Sequence, residues 1–441
     1  MEVLVVASSS IDGGIGCWDL RTGKEQLRYK SCASPAHGLT AVGQSFLAAS
    51  QLRNASASSG SVFYWYWTKP QVEVKSFPVE AIKPLAANSG GTYIVGGGSS
   101  GDIYLWEVAT GKLLKKWHGH YRSVTRLVFS EDDSLLVSGS QDGSVRVWSL
   151  LRLFDDFHRQ QGNHLYEHSF NEHTMPVTDV VMDYGGCNAI MVSASEDRTC
   201  KVWSLSKGML LRNIVFPSTI NALALDPGGT LFYAGGKDGK IYIGALNAKS
   251  DYGTQTLGSV SEQSKAVTCL AYCAEGNLLL SGSEDGLVHV WDPKTCDIVR
   301  AFSHAKGPVN NVQIVRRPVA ANPYSSNKMQ SSWKRHGSSL PPPLEKYETS
   351  REEMTDDTVM VDLPAPDVPV FTTYCSSHTI NNQVKEFQQQ GSAATEIEME
   401  RMRHELKKSS QMIHQWQKTY ENLHQLCVTE LLGDQQTDCS R

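Results

Sequence analysis

The sequence predicts an all-β fold, a seven-bladed β-propeller, and three observations lead to it. The first is a repeated segment: SGSQDGSVRVWSL at 138–150 returns as SASEDRTCKVWSL at 193–205 and as SGSEDGLVHVWDP at 281–293. The second is a fixed offset of six residues between an Asp and a Trp in these copies, which also finds four weaker units. The third is the spacing between units, 41 to 55 residues, which suits four short strands in each unit.

The offset orders the seven units along the chain. Their paired positions are Asp12/Trp18, Ser59/Trp65, Ser100/Trp106, Asp142/Trp148, Asp197/Trp203, Asp238/Gly244 and Asp285/Trp291. In the sixth unit Ala234 and Gly244 replace the usual Ser and Trp. Within a unit, Asp-Gly predicts a two-residue type I′ hairpin turn, in which both central residues need a positive φ. Val145 and Val147 then alternate with polar residues, as the residues of a strand do.

The first unit lacks a first strand, and a later segment of the chain can supply it. VLVVASSSIDGG at 3–14 aligns with the second strand of a repeat, whereas GPVNNVQIV at 307–315 resembles a first strand with no unit after it. A ring without this strand would leave unpaired sheet edges. We therefore expect a propeller over residues 1–318 that closes when the C-terminal strand pairs into the first blade.

Two connections exceed the length that a repeat requires. They cover residues 151–172 and 247–265, and the first carries Phe154, Phe157 and Tyr166. These aromatic side chains either pack on the wall of the ring or dock a partner, and the sequence leaves both interpretations open.

The chain changes character twice after the ring. Residues 319–393 are rich in Pro and Ser and then acidic, which predicts a disordered linker. Residues 394–433 predict a coiled-coil helix, followed by a disordered tail over 434–441. The apolar seam of this helix consists of Met399, Met402, Leu406, Ile413, Trp416, Tyr420 and Leu423. Self-association through the seam is the favoured interpretation, and docking on a partner or on the chain's own propeller are the alternatives.

Composition argues against several classes of function. The net charge of −5 gives no reason to expect bulk electrostatic binding to nucleic acid, although direct RNA contact stays open. No apolar run reaches the ~18 residues of a membrane span. The ten cysteines are scattered without a CxxC pair, which predicts reduced thiols in an intracellular protein rather than a zinc site.

Two motifs resemble catalytic or phosphate-binding sequences but lack the necessary context. GGSSG at 97–101 fits a nucleophile elbow, yet a strand follows where a helix is required. GGKDGK at 235–240 lacks both the spacing of a phosphate loop and a following helix. Because no acid pair or metal cluster stands out either, the sequence predicts a non-enzymatic binding scaffold without catalytic, cofactor or metal sites.

The units resemble WD40 repeats. In that family a hydrogen-bond network joins a loop His, a strand Ser, the turn Asp and the Trp, and the resemblance implies a structural role for each. The matching residues are His120, Ser138, Asp142 and Trp148 in the fourth unit, His173, Ser193, Asp197 and Trp203 in the fifth, and Ser281, Asp285 and Trp291 in the seventh. In the seventh unit Gln263 stands where the His aligns.

The chain as a whole resembles one WD-repeat family, the WD subunit of the rixosome, a nuclear complex that processes precursors of the large ribosomal subunit. The resemblance rests on SGDIYLWEVATGKLL at 100–114, HYRSVTRLVF at 120–129 and KGPVNNVQI at 306–314, and it is strongest to the plant members. It implies a propeller that binds a helical-repeat subunit, a C-terminal helix that forms a homodimer, and action on pre-60S particles in the nucleolus and nucleoplasm. Roles in chromatin, replication and plant development are further expectations from it.

Two other functions stay open. WDLR at 18–21 matches the Trp-Asp-x-Arg signature of substrate receptors of cullin ubiquitin ligases. The central mouth of the ring could instead bind a histone or another peptide. Two short basic pairs, Arg316/Arg317 and Lys334/Arg335, fit a split nuclear import signal.

Overall fold

Short strands of alternating apolar and polar residues build the ring. The computed structural model describes residues 2–43, 46–52, 60–154, 165–183, 185–186, 189–246, 256–260, 265–304, 307–317 and 341–347. Within these ranges the strands form seven antiparallel sheets of four strands each, which are the blades of a propeller. The predicted seven-bladed all-β ring is therefore confirmed.

The strands follow the chain from blade to blade. Blade 1 contains β1 (Glu2–Ser9), β2 (Ile15–Asp19) and β3 (Glu25–Tyr29). Blade 2 contains β4 (Leu39–Val42), β5 (Phe46–Ser50), β6 (Val62–Tyr66) and β7 (Val74–Ser76). Blade 3 contains β8 (Ile82–Ala87), β9 (Tyr93–Gly98), β10 (Asp102–Glu107) and β11 (Leu113–His118). Blades 4 and 5 contain β12 (Val124–Phe129), β13 (Leu135–Ser140), β14 (Val145–Ser149) and β15 (Tyr166–Phe170); and β16 (Val177–Met182), β17 (Ile190–Ser195), β18 (Thr199–Ser204) and β19 (Met209–Val215). A short helix, α1 (Leu150–Phe154), follows β14.

The last two blades and one further strand complete the ring. Blades 6 and 7 contain β20 (Ile220–Leu225), β21 (Leu231–Gly236), β22 (Ile241–Ala245) and β23 (Thr256–Val260); and β24 (Val267–Cys273), β25 (Leu278–Ser283), β26 (Leu287–Trp291) and β27 (Ile298–Ser303). The further strand is β28 (Val309–Arg317). No helix in the described ranges is both long enough and apolar enough to cross a membrane.

Strand β28 closes the ring in blade 1. The strand order of that sheet is β28-β1-β2-β3, so the innermost strand comes from the far end of the propeller sequence. Its register with β1 is antiparallel and includes Val5 opposite Ile314. Val309 and Val312 are buried between blades 1 and 7. The predicted closure by the segment at 307–315 is confirmed.

The hydrophobic core lies between neighbouring blades rather than at one centre. Val5 and Trp18 of blade 1, for example, pack with Leu280 and Val290 of blade 7. The other repeat Trp side chains, which occur in blades 2, 3, 4, 5 and 7, are at most 2% exposed. Burial of one such apolar side chain stabilises the fold by roughly 1.5–3 kcal/mol. Each blade is thus held mainly by its two neighbours, which explains why an open ring is costly.

The hairpin turn of the repeat differs from the predicted type. In blade 4 only Gly143 of the Asp-Gly pair takes a positive φ, 82°, while Asp142 does not, so the two-residue type I′ prediction is wrong. Gly143 N donates to Ser140 O at 3.2 Å, which makes a type I turn followed by a left-handed residue. This geometry lets the Asp142 carboxylate accept the Ser144 N–H at 2.8 Å. In blade 5 Arg198 takes the left-handed position at φ 64°.

The two long connections each contain the outer strand of a blade. Residues 151–172 include β15, and residues 247–265 include β23. They are therefore part of the repeat and not pure insertions, a correction to the sequence prediction. Phe154 is 44% exposed with its ring 6.2 Å from that of Tyr93, whereas Tyr166 packs edge-on against Trp148. Phe157 lies outside the described residues.

Part of the predicted linker packs on the propeller. The sequence predicted disorder over 319–393, but Leu344 is only 5% exposed and its N–H donates to Ser76 Oγ at 2.9 Å in β7. The prediction is therefore wrong for residues 341–347, because their Pro-rich composition does not reveal a groove formed by distant strands. The rest of the linker, the predicted helix at 394–433 with its seam residues, and the tail at 434–441 lie outside the described residues.

Candidate functional site

Antiparallel order places two sets of loops on one face of the ring. Successive strands reverse direction, so the connection between blades and the turn between the second and third strands of a blade lie at the same end of the sheets. We call this end the upper face. His120 and Asp142 of blade 4 lie on it, as do His173 and Asp197 of blade 5.

In blade 4 the structure brings the four repeat residues into one buried cluster. Trp148 Nε1 donates to Ser138 Oγ at 2.8 Å, and Ser138 Oγ lies 2.6 Å from His120 Nε2. His120 Nδ1 lies 2.9 Å from Ser144 Oγ and 3.4 Å from the Asp142 carboxylate. Because the Ser138 oxygen accepts from the indole, its O–H is free to donate to Nε2, which leaves the proton on Nδ1 facing Asp142. The cluster ties a loop to two strands.

Blade 5 repeats the arrangement with a shorter distance between the His ring and the Asp carboxylate. Trp203 Nε1 donates to Ser193 Oγ at 2.8 Å, and His173 lies 2.8 Å from the same oxygen. His173 Nδ1 is 2.9 Å from Asp197 Oδ2. Burial lowers the pKa of His173, and its bond to Asp197 opposes this shift. Burial would raise the pKa of Asp197, but hydrogen bonds from Thr199 and His173 outweigh it and hold that pKa below its usual range.

Blades 6 and 7 keep only parts of the network. In blade 7 Trp291 Nε1 donates to Ser281 Oγ at 2.8 Å, and Asp285 accepts the N–H of Leu287. Gln263 lies outside the described residues. In blade 6 a Cβ added to Gly244 would lie 2.3 Å from the ring of Phe232. Phe232 therefore fills the space that the Trp takes in other blades.

Blade 3 uses a different set of residues, which the sequence analysis missed. Glu80 accepts from Tyr104 OH at 2.7 Å and from Ser100 Oγ at 2.7 Å, so a loop carboxylate joins the hairpin turn and the third strand of this blade. Gly96 stands where blade 4 has Ser138, as the register of the two hairpins shows. Trp106 Nε1 donates instead to the backbone oxygen of Glu345 at 2.9 Å. One indication of this difference was present in the sequence, because blade 3 keeps Trp106 but has Gly96 at the position of the Ser.

A charged cluster crosses the central channel, and it too was not predicted. Arg126 Nε lies 3.0 Å from Asp179 Oδ1, and Asp179 is 2% exposed. The other oxygen of Asp179 accepts the N–H of Leu223 at 2.8 Å. His37, which precedes blade 2, reaches the backbone oxygen of Thr178 in blade 5 at 3.2 Å. Burial lowers the pKa of His37 to about 4, so its ring is neutral at pH 7.

The cluster separates two cavities of the channel. The lower cavity has a volume of about 370 Å³ and is lined by inner-strand residues such as Val128, Val181 and Ile314. The upper cavity has a volume of about 350 Å³ and opens among Lys83, Glu196 and Asn221. His37 lines both. The upper cavity therefore presents a basic and an acidic side chain, Lys83 and Glu196, to a ligand that enters there.

Several large apolar side chains are exposed in the loops of the upper face, and we call five of them the apolar rim. They are Ile11, Phe77, Val79, Tyr121 and Met175, with exposed fractions between 38% and 81%. Tyr121 is the most exposed, and Arg146 lies 5.9 Å from the centre of its ring. Exposed aromatic and apolar residues grouped on one face are typical of protein interaction surfaces. The upper face is the best candidate for such a surface.

The motifs that resemble catalytic sites form turns of the repeat. GGSSG at 97–101 connects β9 to β10, and GGKDGK at 235–240 connects β21 to β22. Over the described part of the chain, no group of three or more His, Cys, Asp or Glu residues is arranged to hold a metal ion. In WDLR at 18–21, Trp18 is buried, and the Asp19 carboxylate accepts from Arg21 N and Thr22 Oγ1 within a turn.

Comparison with known proteins agrees with this architecture. The family described as WD domain, G-beta repeat matches residues 111–149, 165–204, 211–243 and 254–292. Protein ROOT INITIATION DEFECTIVE 3 of Arabidopsis thaliana is 71% identical over 98% of this chain and 98% of its own length. The chain belongs to this WD-repeat family. WD repeat-containing protein 18 of Bos taurus is also similar, 33% identical over 73% of this chain and 74% of its own length.

More distant relatives of the ROOT INITIATION DEFECTIVE 3 family occur in fungi. The Pre-rRNA-processing protein IPI3 of Yarrowia lipolytica is 28% identical over 72% of this chain and 76% of its own length. Among solved structures, the crystal structure of the computationally designed Ika8 protein is similar, with 26% identity and a TM-score of 0.52 over 70% of this chain and 92% of that chain.

Proposed function

We propose that this chain is a non-enzymatic scaffold subunit that acts in maturation of the large ribosomal subunit and in removal of pre-rRNA spacers. The observation that supports this most is similarity, over 72% and 71% of this chain, to fungal proteins named for pre-rRNA processing in Yarrowia lipolytica and in Schizosaccharomyces pombe. The upper face, with its apolar rim, supports a role in binding proteins rather than in chemistry.

The finer parts of the proposal follow from the family resemblance. The chain works in the nucleus, in the nucleolus and nucleoplasm, where it joins a helical-repeat subunit and pre-60S particles. It helps to recruit the remodelling ATPase, and its loss affects chromatin, replication and plant development. The apolar rim binds the helical-repeat subunit, because Tyr121 over Arg146 offers the aromatic and guanidinium groups that dominate protein interfaces.

The contact face is tested by exchange of rim residues. Tyr121→Ala combined with Met175→Ala removes two exposed side chains without touching the buried network. We expect this variant to fold normally and to bind the helical-repeat subunit at least about tenfold more weakly, a loss of about 1.4 kcal/mol. Val299→Ala, at a 51% exposed position on the outer strand β27, is the matched control. Equal loss in both variants, or none in either, contradicts the proposed face.

The predicted C-terminal helix supplies a second proposal, a homodimer formed through residues 394–433. Truncation before residue 394 is expected to leave a folded, monomeric propeller. Its mass in solution should equal that of one truncated chain, whereas the full chain should have the mass of two. Sedimentation equilibrium of the full and truncated chains measures this. The same oligomeric state for both chains would exclude the helix as the dimer contact.

The ribosomal role itself is tested by complementation. Arabidopsis cells depleted of ROOT INITIATION DEFECTIVE 3 should accumulate pre-rRNA that retains internal transcribed spacer sequence, and this chain should restore normal levels. The alternative function, a substrate receptor for a cullin ligase through WDLR 18–21, predicts that Arg21→Ala abolishes adaptor binding while spacer removal stays normal. Failure of the wild-type chain to correct the spacer defect would contradict the scaffold proposal.

A further inference from the structure

Residues 341–347, PPPLEKY, lie against the side of blades 2 and 3, and we call them the strap. Leu344 N donates to Ser76 Oγ in β7 at 2.9 Å. Glu345 N donates to Gly111 O at 2.8 Å, in the turn between β10 and β11. The strap therefore bridges the outer strand of blade 2 and the edge of blade 3.

Leu344 anchors the strap in a pocket between the two blades. Its side chain is 5% exposed and belongs to a buried cluster with Val74, Tyr104 and Trp106. By contrast Tyr347, three residues later, is 72% exposed. Pro341 is buried as well, so the strap is anchored by two apolar side chains three residues apart.

The floor of the groove is shaped to receive a main chain. Trp106 Nε1, which lacks the Ser partner found in blades 4, 5 and 7, donates to Glu345 O at 2.9 Å. Gly111 has a φ of 71°, and a Cβ there would lie 2.5 Å from the backbone oxygen of Pro343. Only glycine permits this approach without strain. The groove supplies two acceptors and one donor to two consecutive residues of the strap.

We propose that this groove is a peptide-recognition site for an extended Pro-Pro-Leu-Glu segment, and that residues 341–347 are its resident ligand in cis. Three main-chain hydrogen bonds set the register of the peptide, and the buried Leu sets its specificity. The prolines restrict the free peptide to extended conformations and so reduce the entropy lost on binding.

The cis arrangement keeps the groove filled in the intact chain. Residues 318–340 join the strap to β28 in one chain, so binding of the strap is intramolecular and does not depend on protein concentration. A partner peptide of the same chemistry must therefore compete with the strap. Release of the strap exposes a site that the folded ring otherwise hides.

The test uses the full chain and a fluorescent peptide with the sequence of residues 340–348, LPPPLEKYE. Leu344→Asp places a carboxylate in the pocket and should release the strap. Fluorescence anisotropy is expected to show saturable binding of the peptide to this variant, at least about tenfold tighter than to the wild-type chain. A control peptide that carries the same Leu-to-Asp change should not bind. Equal binding of both peptides, or none to a folded Leu344→Asp chain, overturns the proposal.

A second measurement covers the case in which Leu344→Asp does not fold. Hydrogen exchange of the wild-type chain should show protected amides at Leu344 and Glu345. Trp106→Phe removes the indole donor and should raise their exchange rate at least about fivefold, whereas Trp148→Phe, which cuts the equivalent bond in blade 4, should leave it unchanged. Unprotected amides in the wild type, or an equal effect of both variants, would show that the groove does not hold the strap as proposed.

Discussion

Blade 4 and blade 3 solve the same structural problem with different partners. In blade 4 the indole of Trp148 bonds to Ser138, ten residues away in the same hairpin. In blade 3 the indole of Trp106 bonds to Glu345, 239 residues away. Both indoles are buried, and a buried donor without a partner costs about 1–3 kcal/mol. The buried Trp indole therefore needs a hydrogen-bond acceptor in both blades, but the acceptor can come from the same hairpin or from a distant part of the chain.

Blades 4 and 5 also differ from blades 1 and 3 in where their structural elements come from in the chain. Blades 4 and 5 are complete with their own consecutive strands, whereas blade 1 takes β28 from the C-terminal end and blade 3 takes the strap. Residues after 307 thus supply the inner strand of blade 1 and the partner of the Trp106 indole in blade 3. Stability of blades 1 to 3 should depend on the C-terminal part of the chain, and stability of blades 4 and 5 should not.

Deletion of residues 307–315 is the strongest test of this dependence. It removes most of β28 and leaves β1 as an unpaired inner edge. We expect loss of the cooperative unfolding transition and aggregation of the protein, measured by calorimetry and size-exclusion chromatography. Deletion of residues 318–326, outside the ring, is the length-matched control. An unshifted, cooperative transition after the first deletion would mean that β28 does not close the ring.

Ser138→Ala should destabilise blade 4, whereas blade 3 already has a glycine, Gly96, at the equivalent position. The change leaves the indole of Trp148 and Nε2 of His120 without their common partner in a site that excludes water. We expect the free energy of unfolding to fall by about 2 kcal/mol, measured by urea denaturation. Ser134→Ala, in an exposed turn before the same hairpin, should change it by less than about 0.5 kcal/mol. Similar losses in both variants would contradict the network's role.

Gly96→Ser tests whether blade 3 can accommodate the Ser that blade 4 has at the equivalent position. If blade 3 merely lacked a Ser, restoring it would stabilise the protein. The structure predicts the reverse, because a Cβ at Gly96 would lie 2.8 Å from Ile82 and 3.0 Å from the Trp106 ring. We expect a loss of about 1.5 kcal/mol in urea denaturation. A gain in stability would show that Trp106 can turn to a local partner and that the strap is dispensable.

Acidification should destabilise blades 4 and 5 more than blade 3, and we expect this to be a smaller effect than those of the changes above. Burial lowers the pKa values of His120 and His173, so below a pH of about 6.5 the unfolded chain binds protons that the folded chain does not. Stability therefore falls as the pH falls, by about 1.4 kcal/mol for each pKa unit of the shift that the titration crosses. Hydrogen exchange at pH 7 and 5, corrected for intrinsic rates, should show amides of β12–β19 losing more protection than those of β8–β11. An equal loss in both regions would contradict this assignment.

The sequence was sufficient to locate the repeated blades and the strand that closes the ring. The Asp–Trp offset located all seven blades, and the unpaired segment at 307–315 identified the closing strand. The turn type was wrong because an Asp-Gly pair fits two hairpin geometries, and the backbone around Asp142 selects between them. Features that arise once were not visible: the cluster of His37, Arg126 and Asp179 joins elements from separate blades. The strap was hidden by a composition that is typical of disorder.

The central claim, that the chain is a scaffold for maturation of the large ribosomal subunit, is tested most directly by fractionation. A tagged chain is purified from plant nuclei, sedimented through a gradient and the co-purifying proteins are identified by mass spectrometry. We expect co-migration with precursors of the large ribosomal subunit and recovery of a helical-repeat protein. Recovery of a cullin adaptor without any pre-ribosomal protein would contradict it and would assign the chain to a ubiquitin ligase instead.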